Sequence, residues 1–139
     1  MKIEMSSEKT TERLAGGYRD LEVYKAAFRF QQAAFQATKQ FPKEETYSLT
    51  DQLRRSSRSV GANIAESWSK RRYPAHFASK LTDSDGELQE STHWIRTAFA
   101  CSYLTKIVAS ELAAQVESIG KMLNKMISKH EQFCQIKGA

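Results

Sequence analysis

Glu90 and His93 stand three residues apart in Glu90-Ser-Thr-His93, a spacing that sets a carboxylate and an imidazole on one face of a helix. Di-metal centres in helical proteins need two such units on different helices, plus a glutamate from each of two more. Here the unit is single, because Tyr73 and Ile127 stand three residues before His76 and His130. The expectation is an ordinary polar face, with no metal and no cofactor. The Gly-x-Ser-x-Gly elbow that exposes a serine nucleophile does not occur, nor does either glycine-rich phosphate cradle. Acid, base and nucleophile do not converge, so neither an enzyme nor a small-molecule substrate is expected.

Two polar groupings remain. Arg55, Asn63, Glu66, Glu87 and Glu90 either line a cavity or form a structural network. In the structural reading, Arg55 pairs with Glu87 or Glu90 across two helices and Asn63 bonds nearby. The other grouping is basic: between residues 54 and 72, Arg54, Arg55, Arg58, Lys70, Arg71 and Arg72 face Glu66 alone. Asp83, Asp85, Glu87 and Glu90 tilt the next helix the other way. Such asymmetry suits contact with RNA or DNA phosphates; it also suits salt bridges between subunits or a solvated face. Arg58, Lys70, Arg71 and Arg72 are the candidate phosphate contacts, the last three reaching outward from a helix end. Arg54 and Arg55 are expected to be held inside by Asp51 or the third helix. Tyr73 and Trp68 could stack on bases, although Trp68 equally suits the edge of a core.

Helices must position these groups. From Leu49 to Lys70, the residues Leu49, Leu53, Ser56, Val60, Ile64 and Ser67 recur at steps of three and four, one helix face. Its small middle, Ser56 and Ser57, predicts close approach of another helix, and Arg55, Ser59, Asn63 and Glu66 form a partly enclosed polar seam beside it. A preceding helix from Asp20, its N-cap, to about Lys39 has two apolar sides: Leu21, Tyr24, Phe28, Gln31 and Phe35 on one, and Val23, Ala27, Phe30, Ala34, Ala37 and Phe41 on the other. Either it has a wide core face or one side meets another subunit. Phe41-Pro42 ends it, and the second helix starts near Glu45 or Thr46. Pro74 suits the first turn of a third, about Ala75 to Ser102, with Phe77, Leu81, Leu88, Ile95 and Phe99 on one face. Gly86 within it is expected at a close crossing near Ser56 and Ser59. A fourth helix, about Ser110 to Gln132, presents Leu112, Val116, Ile119, Leu123, Met126 or Ile127, and His130. The fold class expected is all-α, an antiparallel up-down-up-down four-helix bundle over residues 20–133. A mobile N-terminal tail over 1–19 and a C-terminal tail over 134–139 flank it.

The stretch Leu49-x-x-Gln-Leu-Arg-Arg-Ser-Ser-x-Ser-Val-Gly-Ala-Asn-Ile-Ala-Glu-Ser67 resembles the signature of the bacterial four-helix-bundle family named after proteins encoded in 23S rRNA intervening sequences. The likeness continues in Asp20-Leu-Glu-Val-Tyr-Lys-Ala-Ala-Phe28 before it, and in Asp83-Ser-Asp-Gly-Glu-Leu-Gln-Glu-Ser-Thr-His-Trp-Ile95 and Ile119-Gly-Lys-Met-Leu-Asn-Lys-Met-Ile127 after it. The family name records a genetic location and no activity. The resemblance implies a ring-shaped homo-oligomer, a pentamer.

Composition agrees with one soluble domain. The 139 residues are 40% hydrophobic and 27% charged, with two prolines and six glycines, a balance that favours long helices over disorder. A net charge of +5 permits anionic partners without requiring them. Cys101 and Cys134 show no metal or redox spacing, so both are expected as thiols in a reducing cytoplasm. Neither a signal peptide nor a bilayer-length apolar run is visible.

Overall fold

A computed structural model describes residues 17–134, and every regular element among them is helical. The helices are α1 (Glu22–Thr38), α2 (Leu49–Trp68), α3 (Pro74–Ala100), α4 (Lys106–Ser128) and a short closing turn α5 (His130–Phe133). Single 3-10 turns, Tyr18–Asp20 and Lys43–Glu45, precede α1 and α2. The expected tails over 1–16 and 135–139 lie outside the described residues. Tyr18, assigned to the tail by its sequence neighbours, instead packs edge-on against Tyr24 at 4.9 Å. Asp20 sits in the 3-10 turn, and Leu21 takes the cap position of α1.

Local chemistry explains where the helices start. The Glu45 carboxylate accepts from Ser48 Oγ at 2.6 Å, from the Leu49 amide at 3.3 Å and from Tyr103 Oη at 3.0 Å. It therefore satisfies a free amide at the start of α2 from outside the helix. That is why α2 begins at Leu49 and not at Glu45. Pro74 occupies the first turn of α3, where its missing N–H costs nothing. Thr105 Oγ1 accepts from the Val108 amide at 3.2 Å, a side-chain cap that starts α4 four residues before the apolar pattern suggests. Ser102, with φ 65°, makes the left-handed reversal before it.

The pairing directions follow from cross-helix contacts. Lys80 meets Glu66, Ser84 donates to the Val60 carbonyl, Glu90 meets Arg55 and Ser91 meets Ser56. Ascending α3 thus descends α2, so the two run antiparallel along the most extensive helix contact in the molecule. Thr38 beside Arg54, and Tyr24 and Ala27 beside Gly61, set α1 antiparallel to α2 in the same way. Leu88 against Gly120 and Phe77 against Phe133 do so for α3 and the C-terminal segment. In this cycle α1 and α3 each pack between α2 and α4.

The core joins Phe30 of α1, Leu53, Val60 and Ile64 of α2, Phe77, Leu81 and Leu88 of α3, and Leu112, Ile119 and Leu123 of α4. The inward face of α3 is Phe77, Leu81, Ser84, Leu88, Ser91, Ile95 and Ala98, steps of four and three like a coiled-coil seam. Ala98, and not Phe99, closes that face; Phe99 is exposed. The small residues work as expected at Ser56 and Ser57, both fully buried. Gly86 does not: nothing lies within 4 Å of a Cβ built there. It falls two residues from both Ser84 and Leu88, roughly 200° round the helix, and faces outward. A glycine that does stand at a helix crossing with α1 is Gly61, where a Cβ would stand 3.6 Å from Tyr24 Cε1 and 3.8 Å from Ala27 Cβ. Among the described residues, no helix is long and apolar enough to cross a membrane.

Candidate functional site

The polar seam divides into separate contacts. Arg55 Nη2 donates to Glu90 Oε2 at 2.5 Å, and Nη1 lies 3.6 Å from Glu87 Oε1. Glu90 Oε2 also accepts from Trp94 Nε1 at 3.0 Å. The Trp94 bond first, then Arg55, holds the Glu90 carboxyl below the ordinary carboxylate range, while the bond to Glu90 pushes Arg55 up. Glu66 lies apart, 3.4 Å from Lys80, and Asn63 donates to the Ser59 carbonyl one turn back on its own helix. Arg55, Glu66, Glu87 and Glu90 therefore make contacts across the α2–α3 interface, Asn63 bonds within α2, and the five do not form one network. The seam is also open, the Arg55 side chain being 46% exposed. His93 turns to the Trp94 ring, and among the described residues no three His, Cys, Asp or Glu groups are placed to hold a metal ion.

Past the end of α2 the basic cluster splits as well. Lys70 and Arg72 are exposed, as is Tyr73. Arg71 is not an outward-reaching group. Its guanidinium lies 3.8 Å from the Trp68 ring centroid and Nε donates to the Trp68 carbonyl at 2.9 Å; burial there pushes its pKa down. Stacking and the carbonyl bond fold the side chain back over the core edge, where Trp68 is buried against Phe77 and Phe133. The Trp68 ring is thus enclosed, while the exposed Tyr73 ring lies 5.6 Å from the His76 ring.

Arg54 is fixed neither by Asp51 nor by α3. Its Nε donates to Thr38 Oγ1 at 2.7 Å, and its guanidinium lies over the Phe35 ring of α1 at 4.6 Å. Arg58 and Lys39 approach the same ring at 5.6 and 5.0 Å. Arg54, Arg55 and Arg58 border a shallow groove shared with Thr46, Thr50, Asp51 and Ser59. Lys39, Phe35 and Thr38 are absent from the sequence-based site. The spacing of Arg54 and Arg58 signals a shared face, but no pattern along one helix tells which ring of another it will meet.

Residues 19–125 match the family described as 23S rRNA-intervening sequence protein. A search of curated proteins finds no match. Among solved structures, the chain is similar to a protein of unknown function from the S23 ribosomal protein family of Bacteroides thetaiotaomicron VPI-5482. The TM-score is 0.69 at 24% identity, covering 76% of this chain and 97% of that one. At that identity the likeness concerns the fold. With the family match spanning most of its length, the chain belongs to the 23S rRNA-intervening sequence protein family.

Proposed function

We propose that this family member is a non-catalytic, self-associating binding protein of the cytoplasm, an antiparallel up-down-up-down four-helix bundle that contacts RNA or DNA phosphates through its basic surface. The cyclic, pairwise antiparallel packing supports the bundle reading. One observation carries the binding reading: Arg58, Lys70 and Arg72 are exposed and have no acidic partner among the described residues. Long cations with unneutralised heads suit sequence-independent phosphate contact. Arg71 belongs to the fold and leaves the contact set.

Retention of the full chain on immobilised RNA, measured against salt, tests this. Removing one cation that neutralises a phosphate should flatten the dependence of log affinity on log salt by about 0.7 for a single strand. Replacing Lys70 and Arg72 together by Gln should weaken retention and flatten the slope, with helicity unchanged. No retention at about 50 mM salt, where such contacts are strong, overturns the reading.

The second reading is an assembly module with a protein partner. Tyr47 is 94% exposed and Ile107 71%, and the Phe41–Tyr103 and Glu45–Tyr103 contacts bring their connections, with Phe99, to one end of the molecule. Phe28, exposed on α1, suits the subunit contact that its second apolar side suggests. A monomeric mass in solution would count against assembly.

A further inference from the structure

We infer that Arg54 and Arg58 of α2, with Lys39 of α1, form a binding site for one phosphoryl group on the α1–α2 flank, separate from the Lys70 and Arg72 corner. The inference deepens the nucleic-acid reading and rests on it only for the source of the phosphoryl group.

All three cationic heads lie within 5.6 Å of the Phe35 centroid. Salt screens charges from one another only beyond about 8 Å at physiological strength, so these repel across a small space. No carboxylate pairs with any of them among the described residues. A ring face attracts a cation, which explains one guanidinium over Phe35 more readily than three cations around it. Asp51, the acid at the groove, makes no ion pair with Arg54, Arg58 or Lys39 among the described residues. An anion seated between Arg54 and Arg58 would relieve the repulsion.

The pre-organisation is specific to Arg54. Thr38 Oγ1 donates to the Phe35 carbonyl at 2.8 Å and accepts from Arg54 Nε at 2.7 Å. The guanidinium is thereby held by one nitrogen, and its two terminal nitrogens make no hydrogen bond among the described residues. Arg58, one turn on, lines the same groove with its guanidinium 5.6 Å from the Phe35 centroid. A carboxylate has two oxygens and suits a single fork, whereas a phosphoryl group has three and can take both. Thr46, Thr50 and Ser59 border the groove with further hydroxyls.

The test is a titration of the full chain, followed through arginine Nε–H signals by NMR, with pyrophosphate in one arm and a twelve-nucleotide oligouridylate in the other. Both ligands are expected to shift the Arg54 and Arg58 signals saturably. Arg58→Gln, which alters an exposed side chain, should weaken both at least tenfold, while the Lys70→Gln/Arg72→Gln variant keeps pyrophosphate affinity unchanged. Pyrophosphate binding without oligonucleotide binding would uphold the site for a free phosphoryl anion and overturn the nucleic-acid reading. Oligonucleotide binding indifferent to Arg58→Gln would overturn this site and leave that reading standing. Failure of pyrophosphate to move either arginine signal overturns the site outright.

Discussion

Gly86 faces solvent in the middle of α3, with room around it for a side chain. Glycine in such a position costs the helix about 0.5–1 kcal/mol against alanine, mostly through the freedom it keeps when unfolded. Gly86→Ala should accordingly raise the denaturant midpoint by a stabilisation of that size; a lowered midpoint would mean the position is packed. Gly61 behaves oppositely once size grows, because Tyr24, Ala27 and Gln31 surround it. Gly61→Leu should destabilise by about 1–3 kcal/mol, the usual cost of overpacking. Both glycines interrupt helical patterns, and only the angle to the neighbouring helix separates them. Arg71 carries the same lesson: its string of basic neighbours suggests reach, while the ring that captures it stands three residues earlier at Trp68.

Between elements, the α2–α3 interface combines an exposed ion pair with buried serine contacts, Ser56 to Ser91 at 2.9 Å and Ser84 to the Val60 carbonyl at 2.7 Å. The Arg55–Glu90 pair is solvated, so a double-mutant cycle should return a coupling of about 0.2–1 kcal/mol. Additive single effects would show that the pair contributes nothing. Its acid limb has a definite sign. The Glu90 pKa is depressed in the folded state, chiefly by the Trp94 bond. The stability this gives is complete above the unfolded glutamate value of about 4.3 and is lost as pH falls through the folded one. Glu90→Gln should therefore flatten the acid limb of a stability–pH curve, leaving a remnant from Glu45, depressed first by its Ser48 bond. Periodicity made the face containing Ser56, Val60 and Ile64 legible, and opposite charge made Arg55 to Glu87 or Glu90 legible. The separation of Asn63 and Glu66 from that pair was not, because helical spacing cannot say which neighbour each rung of a stripe will meet. Helix starts depended on a carboxylate four residues upstream at Glu45 and a lone hydroxyl at Thr105, outside the apolar pattern.

For the whole molecule, the packing between helices adjacent in sequence outweighs the one interface that closes the cycle between α1 and α4. Arg71→Gln is expected to lower stability while leaving the salt slope of RNA retention unchanged, the converse of changing Lys70 and Arg72; equal effects on binding would return Arg71 to the contact surface. The α2–α3 hairpin has a further consequence, in time. Its two arms are linked by a five-residue turn, so little chain entropy is lost in bringing them together. Such a hairpin is suited to form before the N-terminal helix finds α4. Ser91→Ala, which removes the Ser56–Ser91 hydrogen bond inside the hairpin, should then slow refolding, whereas truncating Met126, against the N-terminal segment, should mainly speed unfolding. Chevron plots of Ser91→Ala and Met126→Ala would order the two events: the reverse pattern would place closure of α1 on α4 first.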